Sequence, residues 1–150
     1  MRRAKMGERE YEQAKAFLAA TWRVAFAGAH EPPPGLDPVS VLATAELTHP
    51  RQARAGLREA IDDILGIIGG WPPERIRALD ADLAAPGLVT ATQMLSAYSR
   101  RVQRLLKSKM LDDEQDCRLL QTILDAEPSG WSEAERQTAA SLLNAFEARK

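Results

Sequence analysis

Apolar residues recur at three-to-four spacing along most of this chain, and nowhere do apolar and polar residues alternate long enough to make a strand. The first run, about 8–29, puts Tyr11, Ala14, Leu18, Trp22, Ala25 and Ala29 on one face. Phe17, Val24 and Phe26 widen that stripe, which predicts a helix packed on two sides. A short helix follows over 37–47. A third, about 50–68, turns Leu57, Ala60, Ile61, Ile64, Leu65 and Ile68 inward, with Thr48 as its expected cap. Ile76, Leu79 and Leu83 mark one side of a short helix after Trp71-Pro72-Pro73. The longest expected helix covers 91–109, another covers 113–126, and the last begins at Ser132 with Leu142, Leu143 and Phe146 on its apolar face.

Prolines and glycines cut the chain between these pieces. The run 31–38 (EPPPGLDP) forces an extended turn, because proline removes a donor and restricts the residue before it. Gly69-Gly70 is expected to end the third helix by taking the left-handed conformation. Ser132 with Glu135 three residues on spells a capping box. Trp71 and Trp131 are expected to seal helix ends against the core. The pattern predicts an all-α, single-domain bundle of six or seven helices over residues 1–150, without a sheet and with 1–7 and 148–150 frayed.

Composition narrows the function more than the fold. Hydrophobic residues make up 45% of the 150, enough for one ordinary core. Net charge is −1, with an isoelectric point near 6.1, which argues against a surface committed throughout to nucleic acid. One cysteine, Cys117, excludes an internal disulfide and suits a reducing cytosol. No run approaches the roughly 18 apolar residues of a membrane span, and acidic residues follow the basic Met1–Lys5 segment where a signal peptide turns apolar. The expectation is a cytoplasmic protein with no membrane partner. Fifteen arginines against five lysines, with 25 alanines, point to a GC-rich bacterial source.

The densest charge lies in 100–116. Arg100, Arg101, Arg104, Lys107 and Lys109 are followed by Asp112, Asp113, Glu114 and Asp116. On one continuous helix over 91–109, with Arg100 at zero, Arg104 lies at about 40° and Lys107 at about 340°, near Gln93 and Ser96. Met94, Leu95, Tyr98, Val102, Leu105 and Leu106 fall between about 120° and 240°. The cations therefore lie opposite the apolar stripe, as a solvated face does. Both charge clusters also match the helix dipoles, cations near a C-terminus and acids near an N-terminus capped by Asp112 or Asp113. The letters DDEQD fit a D-D-x-x-D spacing that holds magnesium and diphosphate in some all-helical enzymes. With no second such motif and with the acids at a helix start, the expected role is capping, with Gln115 completing a box with Asp112.

Other candidate chemistry is sparse. His30 and His49 lie in loops, and Asp80 and Asp82 point to different faces of a helix. Asp62 and Asp63 follow Arg58 at ion-pairing distance, and a buried aspartate there would need a partner. Cys117 shares a face with Leu120 and Leu124 as a small core residue. No phosphate loop, dinucleotide fingerprint or nucleophile elbow occurs. No catalytic, cofactor-binding or metal-ligating residue is therefore assigned.

The expected function is protein–protein binding, as an adaptor, inhibitor or regulatory subunit. Arg100, Arg101, Arg104 and Lys107 are its candidate contact surface. A homodimer that hides Phe17 or Phe26 is a variant of that reading. Two alternatives stand beside it. One is a nucleic-acid-associated protein using the basic stripe. The other is a small helical enzyme whose pocket gathers several of His30, His49, Asp62, Asp63, Tyr98 and Cys117.

Overall fold

The computed structural model describes residues 6–150; the Met1–Lys5 segment, and with it most of the expected frayed N-terminus, lies outside them. Among the described residues there are eight helices and no strand. They are α1 (Glu8–Ala25), α2 (Pro38–Thr48), α3 (Pro50–Ile68), α4 (Pro73–Ala84), α5 (Ala91–Tyr98), α6 (Arg100–Lys107), α7 (Glu114–Asp125) and α8 (Glu133–Ala148). The all-α class holds and the helix count rises to eight.

The extra helix comes from a break at Ser99. There the backbone is extended, and Ser99 closes α5 and caps α6, its hydroxyl accepting from the Val102 amide at 3.2 Å. Serine competes well at caps and poorly inside helices, so the sequence permits a restart there. The break frees α5 carbonyls, and the Gln103 amide donates to the Ser96 carbonyl at 3.0 Å. It also resets the helical phase. Ser96 and Gln103 are buried, whereas one continuous wheel puts Ser96 out with the cations.

Local chemistry sets most other ends. Asp37 caps α2, accepting from the Ser40 amide at 3.1 Å and the Ser40 hydroxyl at 2.6 Å, with Pro38 at the first helical position. These bonds, the hydroxyl's first, hold the Asp37 carboxyl below its usual range. Ser132 and Glu135 form the expected box, and Thr90 with Gln93 forms another at α5. Three ends differ from expectation. Thr48 is the last residue of α2, its hydroxyl bonded to the Thr44 carbonyl, so α3 starts on His49-Pro50 without a side-chain cap. Gly69 ends α3 in the right-handed conformation (φ −60°), its amide and that of Gly70 closing back on Leu65 and Ile67. At α7 the cap is Asp113, one of the two expected aspartates, accepting from the Gln115 amide at 2.7 Å. Finally, α1 stops at Ala25, four residues early, in a turn that carries Gly28 at φ +96°.

One cluster of buried hydrophobic side chains draws on all eight helices. The helix α3 lies at its centre, packed on α1, α2 and α5, while α5 also meets α4 and α7. Ile61, Ile64 and Ile68 are wholly buried there, each contributing roughly 1.5–3 kcal/mol by leaving water. Trp131 is buried just before the Ser132 cap, and Trp71 packs partly buried under Arg75 at 3.8 Å. The last two residues are tied, Arg149 donating to the Leu111 carbonyl and Lys150 pairing with Glu114 at 3.3 Å and Glu147 at 3.1 Å.

Candidate functional site

The four cations of the expected contact surface part company in the structure. Val102, Leu105 and Leu106 face the core, which turns Arg100, Arg104 and Lys107 outward. These three line a shallow open depression with Gln103 and Ser108. Arg101 points elsewhere. Its Nε and Nη2 donate to Asp116 at 2.9 and 2.6 Å, and its Nη1 reaches the Gly69 carbonyl at 3.4 Å. It therefore fastens α6 to α7 and to the end of α3. Arg100 pairs with Asp62 at 2.9 Å, and the Asp62 side chain is only 13% exposed. The partly buried aspartate of the IDDILGII run thus has its partner on α6 as well as a positive neighbour on its own helix. Among the described residues, Arg104 and Lys107 alone of the four cations make no ion pair.

The aspartate-rich stretch is divided among structural duties. Asp116 belongs to Arg101, Asp113 caps α7 and Asp112 is exposed. Among the described residues, no three His, Cys, Asp or Glu side chains converge as metal ligands. The residues named for a hypothetical pocket are dispersed. His30 lines a cleft with Trp22, Phe26 and Leu36, and His49 is exposed between α2 and α3. Cys117 is half-buried against the core, its thiol pushed up by burial and then by Glu114 and Asp116, so it stays protonated at neutral pH. Tyr98 lies beneath Arg58 at 5.0 Å, on the side of α3 that also carries Asp62.

A different surface stands out by its lack of charge. The helix α2 (PVSVLATAELT) holds one ionisable residue, Glu46. That carboxylate accepts from the Tyr11 hydroxyl at 2.7 Å and from Lys15 at 2.9 Å, so it turns toward α1. Only Leu42 of α2 is buried. At about 100° per residue, Ala43, Leu47, Ser40, Thr44, Thr48 and Val41 occupy the outer arc, and none is charged. Leu47 is 88% exposed and Val41 48%, with Leu36 at 62% just before the helix and Val24 at 42% on α1. Beside them a groove of about 130 Å³ runs between α2 and α3, floored by Leu18, Leu42 and Leu57. The pattern marks this face, since a helix with a single charge offers water only its hydroxyls, here Ser40, Thr44 and Thr48.

The Glu46 triad also gives this end of the molecule a pH response. Burial, then the bond to Glu46, raises the Tyr11 hydroxyl to about 12, while Lys15 and then Tyr11 hold Glu46 low. A folded-state value above the unfolded one of 10.0 means that the native state keeps its proton as pH climbs past 10. That contribution is complete below pH 10 and disappears between about 10 and 12. Tyr11→Phe, which gives up a hydrogen bond worth about 1 kcal/mol, is expected to lie below the wild type at pH 8 and to converge with it by pH 12. Denaturant titrations across that range measure the convergence.

No family model, curated protein or solved structure matches the chain. Among the described residues, no helix is long and apolar enough to cross a membrane.

Proposed function

We propose that this chain acts by binding protein, in the manner of an adaptor, inhibitor or regulatory subunit, and that the outer face of α2 makes the contact. One contrast carries the reading. The helices α2 and α5 are alike in being almost or wholly without charge, and α5 is buried nearly all round while α2 buries only Leu42. The outer face of α2 offers water only hydroxyls beside the open side chains of Val41 and Leu47, and such an uncharged, partly apolar surface is suited to an interface. The basic stripe supports a polar contact less strongly, because Arg100 and Arg101 are already engaged with Asp62 and Asp116.

The experiment compares three immobilised proteins for what they retain from an extract of the native host: wild type, Leu47→Lys and Arg104→Glu/Lys107→Glu. Arg100 is left intact because of its pair with Asp62. The expected result is a protein, identified by mass spectrometry and rebound in pure form, that Leu47→Lys loses and the α6 variant keeps. Loss with the α6 variant alone would move the contact to the basic stripe. If that loss also followed nuclease treatment and steepened with salt, by about one logarithmic unit per phosphate contact, nucleic acid would be the partner.

A further inference from the structure

We infer that the occupant of the α2 face is a second copy of this chain, packed α2 against α2 across a two-fold axis. The inference rests on the protein-binding reading above and names its partner. Three observations favour a copy over an unrelated protein. First, the outer arc of α2 is uncharged, and the charges along its flanks are paired, Lys15 with Glu46 and Arg23 with Glu31 at 2.9 Å, which leaves Asp37 and Arg51 at its two ends. A copy laid on this surface therefore buries no charge and sets no like charges against each other.

Second, the face is self-complementary in shape. Its most exposed large side chain, Leu47, stands near the C-terminal end, the small Ser40 lies near the N-terminal end with Val41 to one side, and the small Ala43 and Thr44 lie at the middle. A two-fold axis gives an antiparallel crossing, in which each Leu47 knob meets the partner's small-residue hollow, and every contact occurs twice. Third, the ends match electrostatically. The N-terminal end of α2 carries Asp37 and the C-terminal end leads into the exposed Arg51, so the antiparallel crossing brings opposite charges together and opposes the two helix dipoles.

The size of the face sets the strength. An 11-residue helix is about 16 Å long. A strip of that length and about 10–12 Å wide, even with Leu36 and Val24 added, falls short of the roughly 800 Å² per partner of a standard stable interface. The dimer is accordingly weak and forms as concentration rises.

Sedimentation equilibrium from about 1 µM to 1 mM, a range that brackets weak association, tests this on the intact chain. The expected mass climbs from 16.5 kDa toward twice that value. Leu47→Lys is expected to weaken association at least about tenfold with an unchanged melting temperature, because Leu47 touches solvent rather than the core. A second measurement does not depend on that variant. In a Cys117→Ser background, Thr44→Cys is expected to form a covalent dimer on mild oxidation, and Gln137→Cys on the exposed side of α8 is not. A wild type that stays monomeric throughout, with no more cross-linking at 44 than at 137, overturns the inference. If a host protein is nevertheless retained and then lost with Leu47→Lys, self-pairing fails and the protein-binding reading stands. If nothing is retained either, both fail.

Discussion

Phe17→Ala is expected to remove about 3–5 kcal/mol of folding stability, a large part of the roughly 5–15 kcal/mol that holds a typical domain. Phe17 has no exposed surface and sits on α1 amid the cluster that joins the helices. Deleting its ring loses the transfer free energy and leaves a cavity that the packed isoleucines and leucines of α3 close only in part. The same substitution separates two uses of this residue. Were Phe17 held in a dimer interface, its loss would reduce association and spare the monomer. As a core residue it lowers the denaturant midpoint equally at low and high protein concentration. Val24→Ala, about two turns along and 42% exposed, is the matched comparison, expected to change stability by less than about 0.5 kcal/mol. Chemical denaturation at two protein concentrations decides the matter, and a concentration-dependent loss confined to Phe17→Ala would return the residue to an interface.

Gly130→Ala is expected to cost about 2–4 kcal/mol, for two separable reasons. Gly130 has φ +84°, a conformation in which any side chain is strained by about 1–2 kcal/mol. Its position against α5 adds the rest. A β-carbon there would lie 2.5 Å from the Ser96 hydroxyl oxygen and 3.3 Å from the Gln93 α-carbon. Ser96 is 2% exposed and its hydroxyl donates to the Gln93 carbonyl at 2.9 Å, so turning it aside strands a buried hydroxyl. The Gln93 α-carbon belongs to the helix backbone and has no room to give. Gly35→Ala isolates the first reason, since Gly35 has φ +84° with nothing within 4 Å of an added β-carbon. It is expected to cost about 1 kcal/mol. Joining Gly130→Ala to Ser96→Ala is expected to cost less than the sum of the two single changes, because the clash with the Ser96 hydroxyl is then removed while that with Gln93 stays. Equal losses at positions 35 and 130 would show that the approach to α5 carries no weight.

The site was less legible than the fold. Arg100 and Arg101 are neighbours in sequence and carry the same charge, yet one lines the outer depression and the other is tied to Asp116 and the Gly69 carbonyl. A helical wheel separates them by about 100°. It does not say which neighbouring element brings a carboxylate within reach. The α2 face is marked in the sequence only by a helix with one charge, whereas the cations of 100–107 are conspicuous there and are partly used up in ion pairs within the fold.

What the sequence determined by itself is local: helices where apolar residues recur at three-to-four spacing, and starts at Asp37-Pro38 and Ser132-x-x-Glu135. Those features depend on groups within one turn of each other, so neighbours in sequence suffice to specify them. Tertiary structure decided the rest. Whether Ser99 stayed inside a helix or broke it depended on packing around α5 and α6 and on a Gln103 amide available to the Ser96 carbonyl. Whether the hydrophobic surface of α1 faced a core or a partner depended on α3, and Phe17 went inward while Val24 did not. Burial and long-range pairing are properties of which elements meet, and a one-dimensional pattern specifies the faces without naming their neighbours.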